Sequence, residues 1–378
     1  MERRTLLQWS AWMAAGGILP LAAGCRTVRA EPDARFGPLL PADANGLRLP
    51  EGFTSRVIAT TGERVKGTDY TWHPAPDGGA VFATDDGGWI YVSNSEVRNG
   101  RGGVGMVRFS SAGEITDARR ILDGTHFNCA GGPTPWGTWL SCEEIHKGRV
   151  WECDPTGTRP AVARSAMGVF CHEAAAAVPQ VETVFLTEDL PDGGFYRFRP
   201  ERWGDLSEGV LEILVETADG VAWKEIPDVL AKDSPTRHQV PGAKRFDGGE
   251  GIWFQRDEVF FSTKGDGRIW AYHPTRETLR IHYDPRTSKT PVIHHVDNLV
   301  GDGLNILVAE DGPEMRIVAL RPDGTAFPVL QLTGVIGSEI AGPAFSPDGT
   351  RLYFSSQRRP GRTYEVRGPW RERRGVEV

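Results

Sequence analysis

The sequence predicts an all-β chain folded as a six-bladed β-propeller, and three observations lead there. First, a short apolar run ending in small and polar residues recurs along the chain: WIYVSNSE (89–96), TWLSCEE (138–144), TVFLTED (183–189), EVFFSTKGD (258–266), NILVAEDG (305–312) and RLYFSSQ (351–357). Second, the last hydrophobic residues of these runs, Val92, Leu140, Leu186, Phe261, Val308 and Phe354, lie 48, 46, 75, 47 and 46 residues apart. Third, turn signals such as Pro76-Asp77-Gly78 and Pro347-Asp348-Gly349 separate the runs, with no amphipathic helix pattern between them. A period near 46 residues with about four short strands is the mark of a propeller blade. A pair of β-sandwiches leaves the even spacing unexplained.

Taken in order, residues 1–30 read as an address. Arg3 and Arg4 precede an apolar run from Trp9 to Gly24 that is short for a membrane span, as in a twin-arginine export signal. Leu21-Ala22-Ala23-Gly24-Cys25 resembles a lipobox, which makes Cys25 a candidate lipid anchor. Residues 31–50, rich in Pro, Ala and Asp, read as a linker or surface arm. The propeller is expected over residues 51–366, with the strand at 52–60 completing the last blade. The long interval holds an insertion near residues 202–239, and residues 367–378 form an exposed tail.

The chain has 378 residues, 39% of them hydrophobic, with 46 glycines and 27 prolines, which is a globular and turn-rich composition. Its net charge of −7 excludes nucleic acid as a partner, because no basic excess is available to neutralise phosphates. Of the five cysteines, Cys129, Cys142, Cys153 and Cys171 remain once Cys25 is set aside. In an exported protein two disulfides are the default reading, and the spacing lacks the paired C-x-x-C of a zinc site. Cys129, ahead of a Gly-Gly turn, and Cys171, beside His172, are the two placed for chemistry instead.

A propeller brings the starts of its inner strands to one channel. Polar residues upstream of each anchor are therefore expected there: His73, Cys129, His172, Glu173, Glu250, Asp297 and Glu339. Carboxylates at the ends of the recurring runs, Glu96, Glu143, Glu144, Glu188, Asp189, Glu310 and Asp311, line the same funnel or its opposite rim. Carboxylates gathered in a channel repel one another unless a cation compensates. Oxygen-rich sites suit calcium, and thiolate and imidazole suit iron or zinc, so metal binding is the economical reading. A single strand-end glutamate is more often merely solvated, and Lys264 with Asp266 reads as a hairpin pair or as a channel cation able to hold an anion. Repetition at equivalent points is what raises the metal reading above that background.

The segments NCAGGPTPWGTWLSCEE, GVFCHEAAAAV, VFLTEDLPDGGFYRF, FDGGEGIWF and VFFSTKGDGRIWAY are similar to those of the PhoX-type alkaline phosphatases. The resemblance runs from about residue 89 to 272 and weakens in the C-terminal repeats. It implies a six-bladed propeller exported by the twin-arginine route, with iron and calcium at its centre and phosphoester hydrolysis as its activity. It implies further that Cys129 is an iron ligand, that Glu143 and Glu144 belong to the metal-binding carboxylate region, and that Glu250 is the acidic residue of the FDxxE segment. His172 and Glu173, and Glu188 and Asp189, match the HEA and TED segments. With Glu310 and Glu339 these complete the candidate metal ligands, and Cys129 and Glu250 are the candidates for the catalytic centre. One departure stands out: the family pattern FDRPEW reads FDGGEG here, so Gly248 occupies the place of a basic residue expected to contact phosphate.

The leading expectation is a monomeric periplasmic or cell-envelope hydrolase acting on a small phosphoester. A calcium-dependent lactonase-like propeller and a non-catalytic metal-binding propeller are the alternatives.

Overall fold

The computed structural model describes residues 36–370; the twin arginines, Cys25 and residues 371–378 lie outside them. Six antiparallel sheets, four with four strands and two with five, are the six blades of a propeller. The innermost strands are Pro76–Ala83, Asn128–Pro133, His172–Val178, Gly249–Gln255, Val296–Gly301 and Ile340–Phe345, which number blades one to six. Each is followed by a second strand that carries the recurring apolar run, and all six anchors are fully buried there, but Val92 and Leu140 stand one residue out of register with the other four and face the following blade, where those four face the preceding one.

The burial patterns explain why those runs read as nearly continuous apolar stretches. Second strands such as Trp89–Ser95 and Ile306–Glu310 are buried on both faces, because a neighbouring blade covers each side. Outer strands such as Thr278–Tyr283 have mixed exposure. The core is accordingly a set of layers between adjacent sheets. Leu140, Val184, Leu186 and Phe198 fill one between blades two and three, and Phe260, Ile269, Leu299 and Val308 another between blades four and five. Each such side chain contributes about 1.5–3 kcal/mol on burial.

The ring closes as expected: Thr54–Thr60 pairs antiparallel with Arg362–Arg367, giving blade six its outermost strand from the other end of the chain. Three expectations are refined. The strand Asp205–Thr217, placed within the insertion on sequence, is the regular fourth strand of blade three, pairing with Phe195–Arg202. The true addition is a fifth strand, Gly220–Glu225, and the following chain, which returns through bridges Val215↔Ala243 and Gly193↔Phe246. Of the two readings for residues 31–50, linker or surface arm, the described part at 36–50 is the arm: Leu47 and Arg48 add a fifth strand to blade five and Phe36 is buried. In the tail Arg367 and Pro369 are exposed as expected, but Trp370 is fully buried, edge-on to Phe53 with ring centroids 4.8 Å apart.

Candidate metal centre

Each inner strand makes one ladder pair, or two in blade six, breaks register, and then resumes pairing. The break falls between Pro76 and Gly79, Asn128 and Gly131, His172 and Ala175, Gly249 and Ile252, Val296 and Leu299, and Ala341 and Ala344. Bulges of this kind re-aim a side chain. The first bulged residue is Asp77, Cys129, Glu173, Glu250 and Asp297 in blades one to five. Blade six has Gly342 in its bulge and brings Glu339 from just ahead of the strand. In blades one to four small residues, Gly78, Ala130, Ala174 and Gly251, follow the ligand-type ones because the inner strands nearly touch. A Cβ on Gly78 would lie 2.5 Å from Ala130 Cα, and one on Gly251 would lie 2.5 Å from Asn298 Cα.

Hydroxyl and amide side chains from the neighbouring blade fix these bulges. Asn94 donates to the carbonyls of Cys129 and Ala130 at 3.0 and 2.7 Å. Thr187 donates to Glu250 O at 2.6 Å and Ser262 to Asp297 O at 2.7 Å.

A second ring stands above the first. The residue immediately after each second strand is Glu96, Glu144, Asp189, Lys264, Asp311 and Gln357, at matching register in the six blades. Residues of both rings, with Glu339 and Arg358, line a central cavity of about 200 Å³.

Three sets of ligand-type atoms come within 4.8 Å of one another: Cys129, Glu144 and Glu173; Asp77, Glu96 and Glu339; and Glu173, Glu250 and Asp297. Glu173 belongs to two of them. It is fully buried, its Oε2 has no hydrogen-bond partner, and its Oε1 lies 3.5 Å from Cys129 Sγ. Burial and the neighbouring carboxylates push Glu173, Asp77 and Asp297 well above the usual carboxylate range. Burial likewise lifts Glu144 to about 10 and Glu250 and Glu339 to about 8, and raises the Cys129 thiol. Two cations relieve part of this crowding at the rim. Lys264 Nζ lies 2.5 Å from Asp189 and 2.6 Å from Glu250. Arg358 lies 3.2 Å from Glu96 and 3.3 Å from Glu339. The arrangement suits several bound cations, with one soft sulfur donor at one end and hard oxygen donors elsewhere.

Of the residues expected from the sequence, Cys129, Glu144, Glu173, Asp189, Glu250 and Glu339 come together here. Glu143, Glu188, Glu310 and His172 do not. Strand alternation turns the first three away from the channel, one residue before the ring position. Glu143 accepts from the backbone N–H groups of His126 and Arg149, at 2.9 and 3.2 Å. Glu188 takes Tyr196 Oη at 2.7 Å, Gly194 N at 2.9 Å and Arg237 at 3.0 Å. Glu310 takes His294 N at 2.8 Å and Arg316 at 2.7 Å. His172 stacks on Phe170 with its Nε2 3.0 Å from Gly168 O, and burial lowers its pKa to about 3. His73 also lies off the ring, held between Tyr70 Oη and Asn94 O.

Asp77 is the residue the sequence reading missed, because Pro-Asp-Gly looked like a turn. The signal was present: Asp77-Gly78 repeats the acid-or-thiol-then-small pattern of Cys129-Ala130, Glu173-Ala174 and Glu250-Gly251. No disulfide forms among the described residues either. Cys129, Cys142, Cys153 and Cys171 are all free and buried, Cys142 and Cys153 in apolar layers.

The family model described as Alkaline phosphatase PhoX matches residues 103–152 and 146–361. A search of curated proteins finds no match. Among solved structures, the chain is similar to Pseudomonas fluorescens PhoX in complex with vanadate, described as a transition state analogue. That match has a TM-score of 0.72 at 17% identity and covers 87% of this chain and 97% of the other. A gluconolactonase from Xanthomonas campestris follows at a TM-score of 0.53 and 12% identity, covering 88% and 98%. At these identities the structural likenesses speak for the fold. The family match spans most of the propeller, and the chain belongs to the PhoX alkaline phosphatase family.

Proposed function

We propose that the protein is a metal-dependent hydrolase of small phosphoesters, acting as a monomer in the periplasm or cell envelope after twin-arginine export. Cys25 is its candidate lipid anchor. The observation that carries this reading is the buried pair of ligand sets joined at Glu173, one of whose oxygens is left without a partner. Burial of an unpaired carboxylate costs several kcal/mol, and a coordinated cation offsets it. Family membership supports the phosphoester as substrate, and vanadate bound as a transition state analogue in the fluorescens protein points the same way for that protein.

The residues fit the implied metals. Cys129, with Glu144 and Glu173, would hold iron, since a thiolate is a strong donor to it. Asp77, Glu96 and Glu339, oxygen donors only, would hold calcium, and Glu173, Glu250 and Asp297 would hold a further ion. Bound there, such ions polarise phosphoryl oxygens and activate the attacking oxygen. The chain's own part is to aim the ligands by means of the bulges, to fix those bulges through Asn94, Thr187 and Ser262, and to keep the floor of the cavity closed with small residues.

Elemental analysis of protein purified from its native compartment, combined with turnover assays, tests the reading. Iron and calcium, with phosphoester hydrolysis lost on chelation, are expected. Calcium alone with lactone turnover would favour a lactonase, for which the all-oxygen set Asp77, Glu96 and Glu339 is the supporting observation. Absence of bound metal would leave a non-catalytic propeller. Export is tested separately: replacing Arg3 and Arg4 by lysines is expected to abolish it, and normal secretion would remove the twin-arginine assignment.

A further inference from the structure

Five of the six mouth-ring positions carry a carboxylate or an amide, and blade four alone carries a cation, Lys264. Its stem does not stand out into the funnel. It lies across Gly248, and a Cβ built on that glycine would meet Lys264 Cγ at 2.8 Å, Asp189 Oδ1 at 3.1 Å and Lys264 Cε at 3.4 Å. Gly248 has φ of +70°, which a residue with a Cβ resists, and its backbone is fastened on both sides. Its N–H donates to Leu190 O at 2.9 Å, and its carbonyl accepts from Lys264 N at 2.8 Å. The glycine is thus a saddle for the lysine. It directs the ammonium between Asp189 of blade three and Glu250 of blade four while leaving nearly half of the side chain, 46%, open to the cavity.

We propose that Lys264, seated on Gly248, is the residue that grips a non-bridging oxygen of the substrate's phosphoryl group, and that it directs the site to dianionic phosphomonoesters over diesters. The proposal rests on the phosphoester reading above. Its geometry is that of a hand-over. Glu250 belongs to one of the ligand sets, so a cation bound there engages the carboxyl group that the ammonium otherwise contacts at 2.6 Å. The lysine then faces whatever anion lies on that cation, within one hydrogen bond of the ligand set. A compact ammonium with three rotatable donors suits a tetrahedral dianion, and charge-assisted bonds of this kind are about twice as strong as neutral ones. Lysine and a side chain at position 248 would compete for one volume, so the two positions form a single device.

The test is inorganic phosphate binding to the metal-loaded protein by calorimetry, with metal content measured on the same samples. Lys264→Met is expected to weaken phosphate binding at least tenfold with metal content unchanged, and to lower the monoester-to-diester ratio of kcat/KM. Lys264→Arg should retain most of the affinity. Gly248→Arg combined with Lys264→Met should regain part of it, since the new cation enters the vacated volume. Phosphate affinity that is indifferent to Lys264→Met, or a loss fully explained by lost metal, would overturn the proposal and leave Lys264 as a counter-ion. Failure of the wild-type protein to bind phosphate would also overturn it. Lysine-dependent phosphate binding without ester turnover would instead uphold it and count against the hydrolase reading.

Discussion

Glu143 and Glu144 are neighbours on one strand end, and so are Glu188 with Asp189 and Glu310 with Asp311. The first member of each pair faces between the blades and is met by N–H groups, and at Glu188 and Glu310 also by an arginine. The second faces the channel, where its neighbours are mostly further carboxylates. The same residue types, one position apart, therefore do opposite things. One set is met by donors within the blade and clasps it, and the other crowds the channel, where Lys264 meets Asp189 while Glu144 lies among ligand-type groups.

The strongest way to sharpen this contrast is to remove the sulfur from the channel set. Cys129→Ser is expected to abolish iron binding, any visible absorption from sulfur-to-iron charge transfer, and at least 99% of hydrolase activity, on the order of 3 kcal/mol or more. Calcium and the melting temperature should change little. A stable, iron-replete and active serine variant would show that the thiol is not a ligand.

Next comes the exchange of roles. Glu188→Ala leaves Arg237 with only the half-exposed Asp192 and the buried Tyr196 hydroxyl with only Thr236, and should cost about 1.5–3 kcal/mol in denaturant unfolding. Glu144→Gln in metal-free protein should cost less than about 1 kcal/mol, because burial already keeps that carboxyl protonated at neutral pH. Equal losses from the two variants would erase the distinction between the faces.

Titration probes the channel set as a group. Glu250 and Glu339 hold protons up to about pH 8 in the folded metal-free protein, whereas the unfolded chain releases them near 4.5. The folded state binds more protons across that window, so its stability is full below about pH 4.5 and falls as pH rises towards 8. The slope is up to about 1.4 kcal/mol per pH unit for each proton retained. Bound metal should flatten the curve, and a curve that rises with pH in the metal-free protein would contradict the crowding. The smallest effect is expected at Thr187→Val, which removes the bond to Glu250 O for about 1 kcal/mol of stability and about tenfold in metal affinity. Unchanged affinity would mean that the bulge holds its own shape.

The repeat was legible because burial on both faces forces each second strand to be apolar for most of its length, and six copies of that pattern fix a period. Closure by residues 52–60 followed from the same count. The facing of individual acids was not legible to one residue, since pleat alternation makes Glu143 and Glu144 opposite while sequence makes them identical. The bulges were invisible for a related reason: they add a residue without altering composition, so Asp77 passed for a turn. The buried Trp370 and the pairing of Leu47 and Arg48 depend on contacts between chain ends, which no local pattern encodes.

The clasp of blade six has a kinetic meaning. Arg56 and Glu365 bond at 2.8 Å across 309 positions of sequence, so the sheet that locks the ring can form only when nearly the whole chain is present. Until then the blades make an open arc, with their ligand-bearing strand ends splayed apart. Local hairpins reward folding early, whereas this pairing must first meet the entropy of closing a very long loop. Assembly of the binding cavity is in that sense a single late event: half a ring is not half a site.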